Sequence, residues 1–246
     1  MTMSEASRNT LTSTSEPVPA VEPEPKPGLL PSLGRLVRGL SALFWGLPVA
    51  LVICVQSAKA DWLRPLGVVA PLLATGLLFY ALVLLGTFQS QERVWHAALD
   101  RAKILALINI GLAPFLCWWN RMPWHPFYNA MVHLMLFTAL FFLFTVNPVL
   151  RRLAAMLPDE TLRVETRLFT AINRGLLVAS MTLLVAYFLL ARATRVPQVI
   201  IEFLVIWERF GQWIMLFLIL LPIAMTMALI WKTKEVILTS VFGSEE

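Results

Sequence analysis

Residues 130–150 read AMVHLMLFTALFFLFTVNPVL, a run without a single Asp, Glu, Lys or Arg. As a helix rising roughly 1.5 Å per residue it reaches about 30 Å, the thickness of the hydrocarbon core of a bilayer. Five more apolar runs, at 40–58, 66–88, 104–119, 175–191 and 213–231, are separated by charged intervals. Lipid offers the backbone no hydrogen bonds, so each run must satisfy its own and is expected to be a helix rather than a strand. Composition agrees, with 58% of the 246 residues hydrophobic, 14% charged and a mean hydropathy of +0.73, where soluble domains carry about 25% charge. The expected fold is an all-α, polytopic integral membrane protein with six transmembrane helices and additional interfacial amphipathic helices.

Lys and Arg are distributed unevenly around these runs. Fourteen, among them Arg35, Arg38, Arg93, Arg151, Arg152, Arg163, Arg167 and Lys232, fall on one side. Six, Lys59, Arg64, Arg121, Arg192, Arg195 and Arg209, fall on the other. The positive-inside bias therefore predicts a multi-pass protein of the inner (cytoplasmic) membrane with both termini in the cytoplasm. The net charge of +5 reflects this bias and points to lipid head groups, not to nucleic acid. Residues 1–34 begin with a Ser/Thr-rich stretch that turns Pro/Glu-rich and are expected to be a disordered cytoplasmic tail, leaving 35–246 as the membrane domain. No apolar signal-peptide core is present in that tail. Cys54 and Cys117 both fall near the outer ends of their helices; a bridge and two buried thiols are the two readings.

Three connecting segments carry polar patterns. Glu92, His96 and Asp100 recur every four residues, a stripe that suits a metal or an acid–base pair but also the exposed face of a surface helix, with Trp95, Leu99 and Ala102 on another face. In 151–174, Pro158 and Asp159 announce a new helix whose apolar face holds Leu162, Phe169, Ile172 and Leu176, running straight into the fifth span. Residues 197–212, PQVIIEFLVIWERFGQ, place Gln198, Glu202, Arg209 and Gln212 on one narrow stripe of an otherwise apolar helix. Glu202 and Arg209 are candidates for a polar path or an interfacial anchor. A straight helix from there to Trp231 would be roughly 50 Å long, so a bend is expected at Gly211.

The spans themselves contain no Asp, Glu, Lys or Arg; their polar groups are modest, among them Asn109, Thr138, Thr145, Asn147, Ser180, Thr182, Thr226 and the lone His133. Ion-coupled transport needs charged groups in the membrane, and this argues against it. Prolines 48, 71, 114, 148 and 222 invite kinks, while Gly39, Ala42 and Gly46, and Ala70 with Ala74, read as helix-packing faces. The outer stretch CWWNRMPWHPFYNAMVH, residues 117–133, gathers His133, His125, Arg121, Trp124 and Tyr128, the candidates for binding a quinone or lipid. The same residue types form the aromatic belt where a helix meets water, across an expected ten-residue turn that Pro123 and Pro126 keep non-helical. That belt accounts for all of them except His133. No cofactor is expected, and no GxSxG, HExxH, P-loop or GxGxxG pattern occurs.

Three functional readings follow. The first is a non-catalytic membrane subunit or scaffold that engages partner proteins through its tail and surface helices; its expected partners are the bilayer, other membrane or cytoplasmic proteins, and a second copy of the chain. The second rests on layout: the basic GRLVRG segment at 34–39, six spans with both ends inside, an inner loop after span 2 and a short apolar helix before span 6. In these features the chain resembles a permease subunit of ABC-2-type exporters, which implies a dimer and a separate ATPase. The third is a quinone- or lipid-binding subunit using the outer cluster, with Glu202 beside it.

Overall fold

The computed structural model describes residues 29–59, 64–88, 93–156, 160–192 and 198–242, the last with backbone alone up to residue 215. Every described element is helical: α1 Leu29–Lys59, a 3₁₀ turn Arg64–Leu66, α2 Val69–Gly86, α3 Arg93–Leu112, α4 Pro114–Arg121, α5 Pro126–Met156, α6 Glu160–Arg192 and α7 Gln198–Phe242. Among the described residues six segments are long and apolar enough to cross a membrane: Ser32–Lys59, Val69–Gly86, Arg93–Arg121, Pro126–Met156, Arg163–Leu190 and Leu216–Thr239. The chain is thus an all-helical, multi-pass protein in its architecture.

The helices overrun the apolar runs that announced them. Helix α1 starts at Leu29, inside the stretch expected to be tail, with Pro31 in the first turn, where a missing N–H costs nothing. The stripe segment after α2 is no separate surface helix; it forms the first turns of α3, continuous with the third span. The expected ten-residue turn shrinks to residues 122–125, because Pro126 sits at the first position of α5 and Asn129 N–H donates to the His125 carbonyl at 3.2 Å. Helix α6 runs unbroken from Glu160 into its span, as expected. Helix α7 passes through Gly211 without interruption, and its 45 residues make about 68 Å of helix.

Proline divides the third span and no other. Pro114 offers no N–H and its ring crowds the Ile110 carbonyl, so α3 stops at Leu112 and α4 begins afresh, with Ala113 N–H donating to Asn109 O at 2.9 Å. Pro48, Pro148 and Pro222 lie inside α1, α5 and α7. At α7 a neighbour mends the ladder. The Leu218 carbonyl, four residues before Pro222, accepts from Ser180 Oγ of α6 at 3.2 Å.

Small residues bring α1 and α2 together antiparallel. A Cβ on Gly39 would stand 3.2 Å from the Ala81 carbonyl oxygen and from Leu84 Cβ, and one on Gly46 would stand 3.0 Å from Leu78. Both glycines therefore permit the close approach typical of membrane helix pairs. Phe44 of α1 meets Trp231 of α7, ring centroids 5.7 Å apart, and Arg163 of α6 reaches the Ala155 carbonyl of α5. With the Glu165–Lys232 pair between α6 and α7, these contacts gather the first half of α1, the end of α5, the start of α6 and the end of α7 at one end of the bundle. Arg151, Arg152, Arg163, Arg167 and Lys232 lie there, and it is called the basic end below.

Candidate functional site

The basic end is closed by side chains. Leu36, Leu40 and Leu43 of α1, Leu82 and Leu85 of α2, Trp95 and Leu99 of α3, Leu150 and Leu153 of α5, Leu177 of α6 and Ile230 of α7 are fully buried. The face of α3 carrying Trp95, Leu99 and Ala102 thus points into the core.

Between α5, α6 and α7 the buried face turns polar. Thr166, Thr170, Asn173, Leu177, Ser180 and Leu184 follow one another at alternating four- and three-residue steps and are all buried. Asn173, 2% exposed, is the node: its Nδ2 donates to Asn147 Oδ1 of α5 and to Thr226 Oγ1 of α7, each at 3.0 Å. Thr226 hydroxyl in turn donates to the Pro222 carbonyl at 2.7 Å. Asn147 Nδ2, Asn173 Oδ1 and Thr166 Oγ1 are buried with no hydrogen-bond partner among the described residues. Near the end of this seam Lys232 of α7 pairs with Glu165 of α6. The apolar face expected on α6 is the outward one, with Phe169 and Ile172 exposed. In lipid an apolar residue gains nothing by turning inward, whereas a polar one finds a partner only there.

The other end is built differently. Twenty residues from α1, α2, α3, α4, α5 and α7 surround a cavity of about 480 Å³, among them Leu51, Cys54, Leu116, Met135, Ala139 and Ile219. Its polar wall groups are engaged elsewhere. Thr75 hydroxyl donates to the Pro71 carbonyl at 2.8 Å, Asn109 Nδ2 donates to Leu105 O at 2.9 Å, and Asn109 Oδ1 accepts from Thr138 at 2.8 Å. Of the lining residues only Val55 and Lys59 are exposed, one turn apart on α1, which sets the mouth. Both cysteines are free; Cys54 lines the cavity, and Cys117 Sγ donates to the carbonyl of Gly67, whose φ of 50° bends the α1–α2 connection, at 3.2 Å.

The outer cluster separates into two parts. The His125 and Tyr128 rings meet at a 45° tilt with centroids 5.0 Å apart, Trp118 joins Tyr128 at 6.1 Å, and Phe115 lies among Trp118, Phe127 and Tyr128. Arg121 is exposed beside them and Trp124 is 82% exposed. His133 does not join this group. Five residues past Tyr128 along α5, or about 7.5 Å, its ring meets Phe188 of α6 edge-on at 4.4 Å, and its Nδ1 is 2.6 Å from the Asn129 carbonyl. The structure matches this division, an aromatic surface plus a histidine between two helices, better than one convergent site.

Of the Glu92, His96 and Asp100 stripe, the described part lies on the first turns of α3. Glu92 lies outside the described residues, Asp100 is exposed and pairs with Lys103 at 3.3 Å, and His96 Nε2 is buried without a partner among the described residues. No group of three or more potential metal ligands occurs among the described residues. Glu202 and Arg209 lie outside the residues whose side chains are described. The chain matches no family model, no curated protein and no solved structure.

Two features escaped sequence reasoning. Asn173 sits two residues before the apolar run at 175–191, so a reading by hydropathy placed it in a connection. The seven-residue rhythm of Thr166, Asn173 and Ser180 was the available signal. The cavity had none, because its walls have the same composition as any other span.

Proposed function

We propose that the chain is a non-catalytic membrane subunit that docks a partner protein on its basic end, which the positive-inside bias puts in the cytoplasm. One observation carries this reading: Val164, 69% exposed, and Leu168, 61% exposed, stand beside the exposed Arg163 and Arg167 at the start of α6. Helix α6 has 33 residues, about 50 Å, against roughly 30 Å of hydrocarbon, so its first turns project beyond the bilayer. The projection is braced by the Glu165–Lys232 pair and by the buried Thr166 and Thr170. A rigid cationic surface with apolar side chains set into it suits a partner segment that is acidic and amphipathic.

Mild solubilisation and identification of co-purifying proteins tests this. A partner retained in stoichiometric amount, and lost on Arg163→Glu with Arg167→Glu, supports docking; recovery of the chain alone, or a partner indifferent to both substitutions, contradicts it. An ATPase as that partner would favour the exporter-permease reading. That reading rests on layout, and the two surface elements it invokes are here continuous with α3 and α7. The lipid- or quinone-binding reading is favoured by a separate observation, the 480 Å³ cavity, rather than by the cluster from Arg121 to His133.

A further inference from the structure

We propose that the cavity receives an acyl chain of a membrane phospholipid and that Lys59 at its mouth selects an anionic head group. The inference deepens the lipid-binding reading and is independent of partner docking, so each can fail without the other. At about 480 Å³ the cavity falls within the roughly 300–1,000 Å³ of ligand pockets. Its α1 wall runs from Leu47 to Lys59, about 18 Å of helix, which gives an elongated shape.

The wall chemistry decides between occupants. Thr75 and one N–H of Asn109 donate to carbonyls of their own helices, and Thr138 occupies the Asn109 oxygen. A quinone ring buried here would find at most the second Asn109 N–H for its two carbonyls, and a buried carbonyl left without a donor weakens binding. A hydrocarbon chain asks nothing of the walls. Lys59 is the one charged residue among those lining the cavity, and it is exposed at the mouth, where a long stem lies on apolar surface and the ammonium reaches water. Tail in the cavity and ammonium at the head group together specify an anionic phospholipid such as phosphatidylglycerol.

The test uses the full chain in phosphatidylcholine nanodiscs doped with either phosphatidylglycerol or phosphatidylcholine carrying a photoreactive diazirine near the end of one acyl chain. Cross-linked residues are located by mass spectrometry. The expected result is labelling at the deep end of the cavity, at 47–51 of α1 and 139–143 of α5, with the anionic probe exceeding the zwitterionic one about fivefold. Leu73, 69% exposed on α2, is labelled equally by both and serves as the control for ordinary lipid contact. Lys59→Gln should bring the two probes to equality at the cavity. Ala139→Trp, which obstructs the cavity, should sharply reduce cavity labelling while leaving Leu73 unchanged, and Ala58→Phe repeats the test nearer the mouth should the first variant not fold. Labelling confined to Leu73 and other outward residues overturns the proposal, and so does cavity labelling that is equal for both probes and indifferent to Lys59→Gln.

Discussion

At the basic end Leu36, Leu85, Trp95, Leu150 and Ile230 are buried to 1% exposure or less, whereas at the opposite end α1 and α5 stand apart around about 480 Å³. The polar groups divide the same way. In the seam Asn173 reaches across to two other helices, while at the cavity Thr75 and Asn109 fold their donors back onto their own backbone. Water contributes little to helix association inside a bilayer, so packing density and interhelical hydrogen bonds decide which helices stay together. Packing density fixes α5, α6 and α7 at the basic end; at the other end Thr138 of α5 still bonds Asn109 of α3, but the looser packing leaves room to admit a guest.

Adding the same atoms at the two ends separates them most. Gly39→Leu drives a side chain into the Ala81 carbonyl and Leu84, and should cost about 1–3 kcal/mol and weaken the α1–α2 pair. Ala139→Leu adds similar volume beside the cavity and should change stability by less than about 1 kcal/mol. Denaturant titration in detergent measures both, and equal losses would erase the contrast. Next in size, Asn173→Leu removes two interhelical hydrogen bonds and leaves Asn147 Oδ1 without this donor; a loss of about 1–2 kcal/mol is expected. Thr226→Val removes one acceptor and should cost about 0.6 kcal/mol in the same titration. The smallest effect belongs to Glu165→Gln: both partners of its ion pair are 44% exposed, so the change should be about 0.2–1 kcal/mol and shrink as salt is raised. A salt-independent loss would place that pair inside the packed seam rather than at its rim.

The six spans were legible because lipid imposes one rule on every segment, a long apolar run with its backbone satisfied. Their ends were not. Pro126 read as a breaker, and residue 31 fell in the expected tail, yet each stands in the first turn of a helix, where a missing donor is harmless. Trp95 and Leu99 were recognisable as one face of a helix, but that this face enters the core depends on α2 and α5 packing against α3. The candidate sites fared less evenly. The aromatic surface around Tyr128 follows from composition at an interface, and the separation of His133 from it follows from Phe188, more than fifty residues away in sequence. Asn173 fell to a hydropathy threshold, and the cavity depends on how five spans lean apart, which no local pattern records.

Thermal unfolding in neutral detergent with increasing phosphatidylglycerol tests the division of labour most directly, on the wild type, Asn173→Leu and Ala139→Trp in parallel. A ligand of the native state adds about 2.7 kcal/mol at a hundredfold excess over its dissociation constant. The account predicts that wild type gains stability as the anionic lipid rises, that Asn173→Leu starts lower and gains as much, and that Ala139→Trp starts near wild type and gains little. A lipid-dependent gain that survives Ala139→Trp, or disappears with Asn173→Leu, would contradict it.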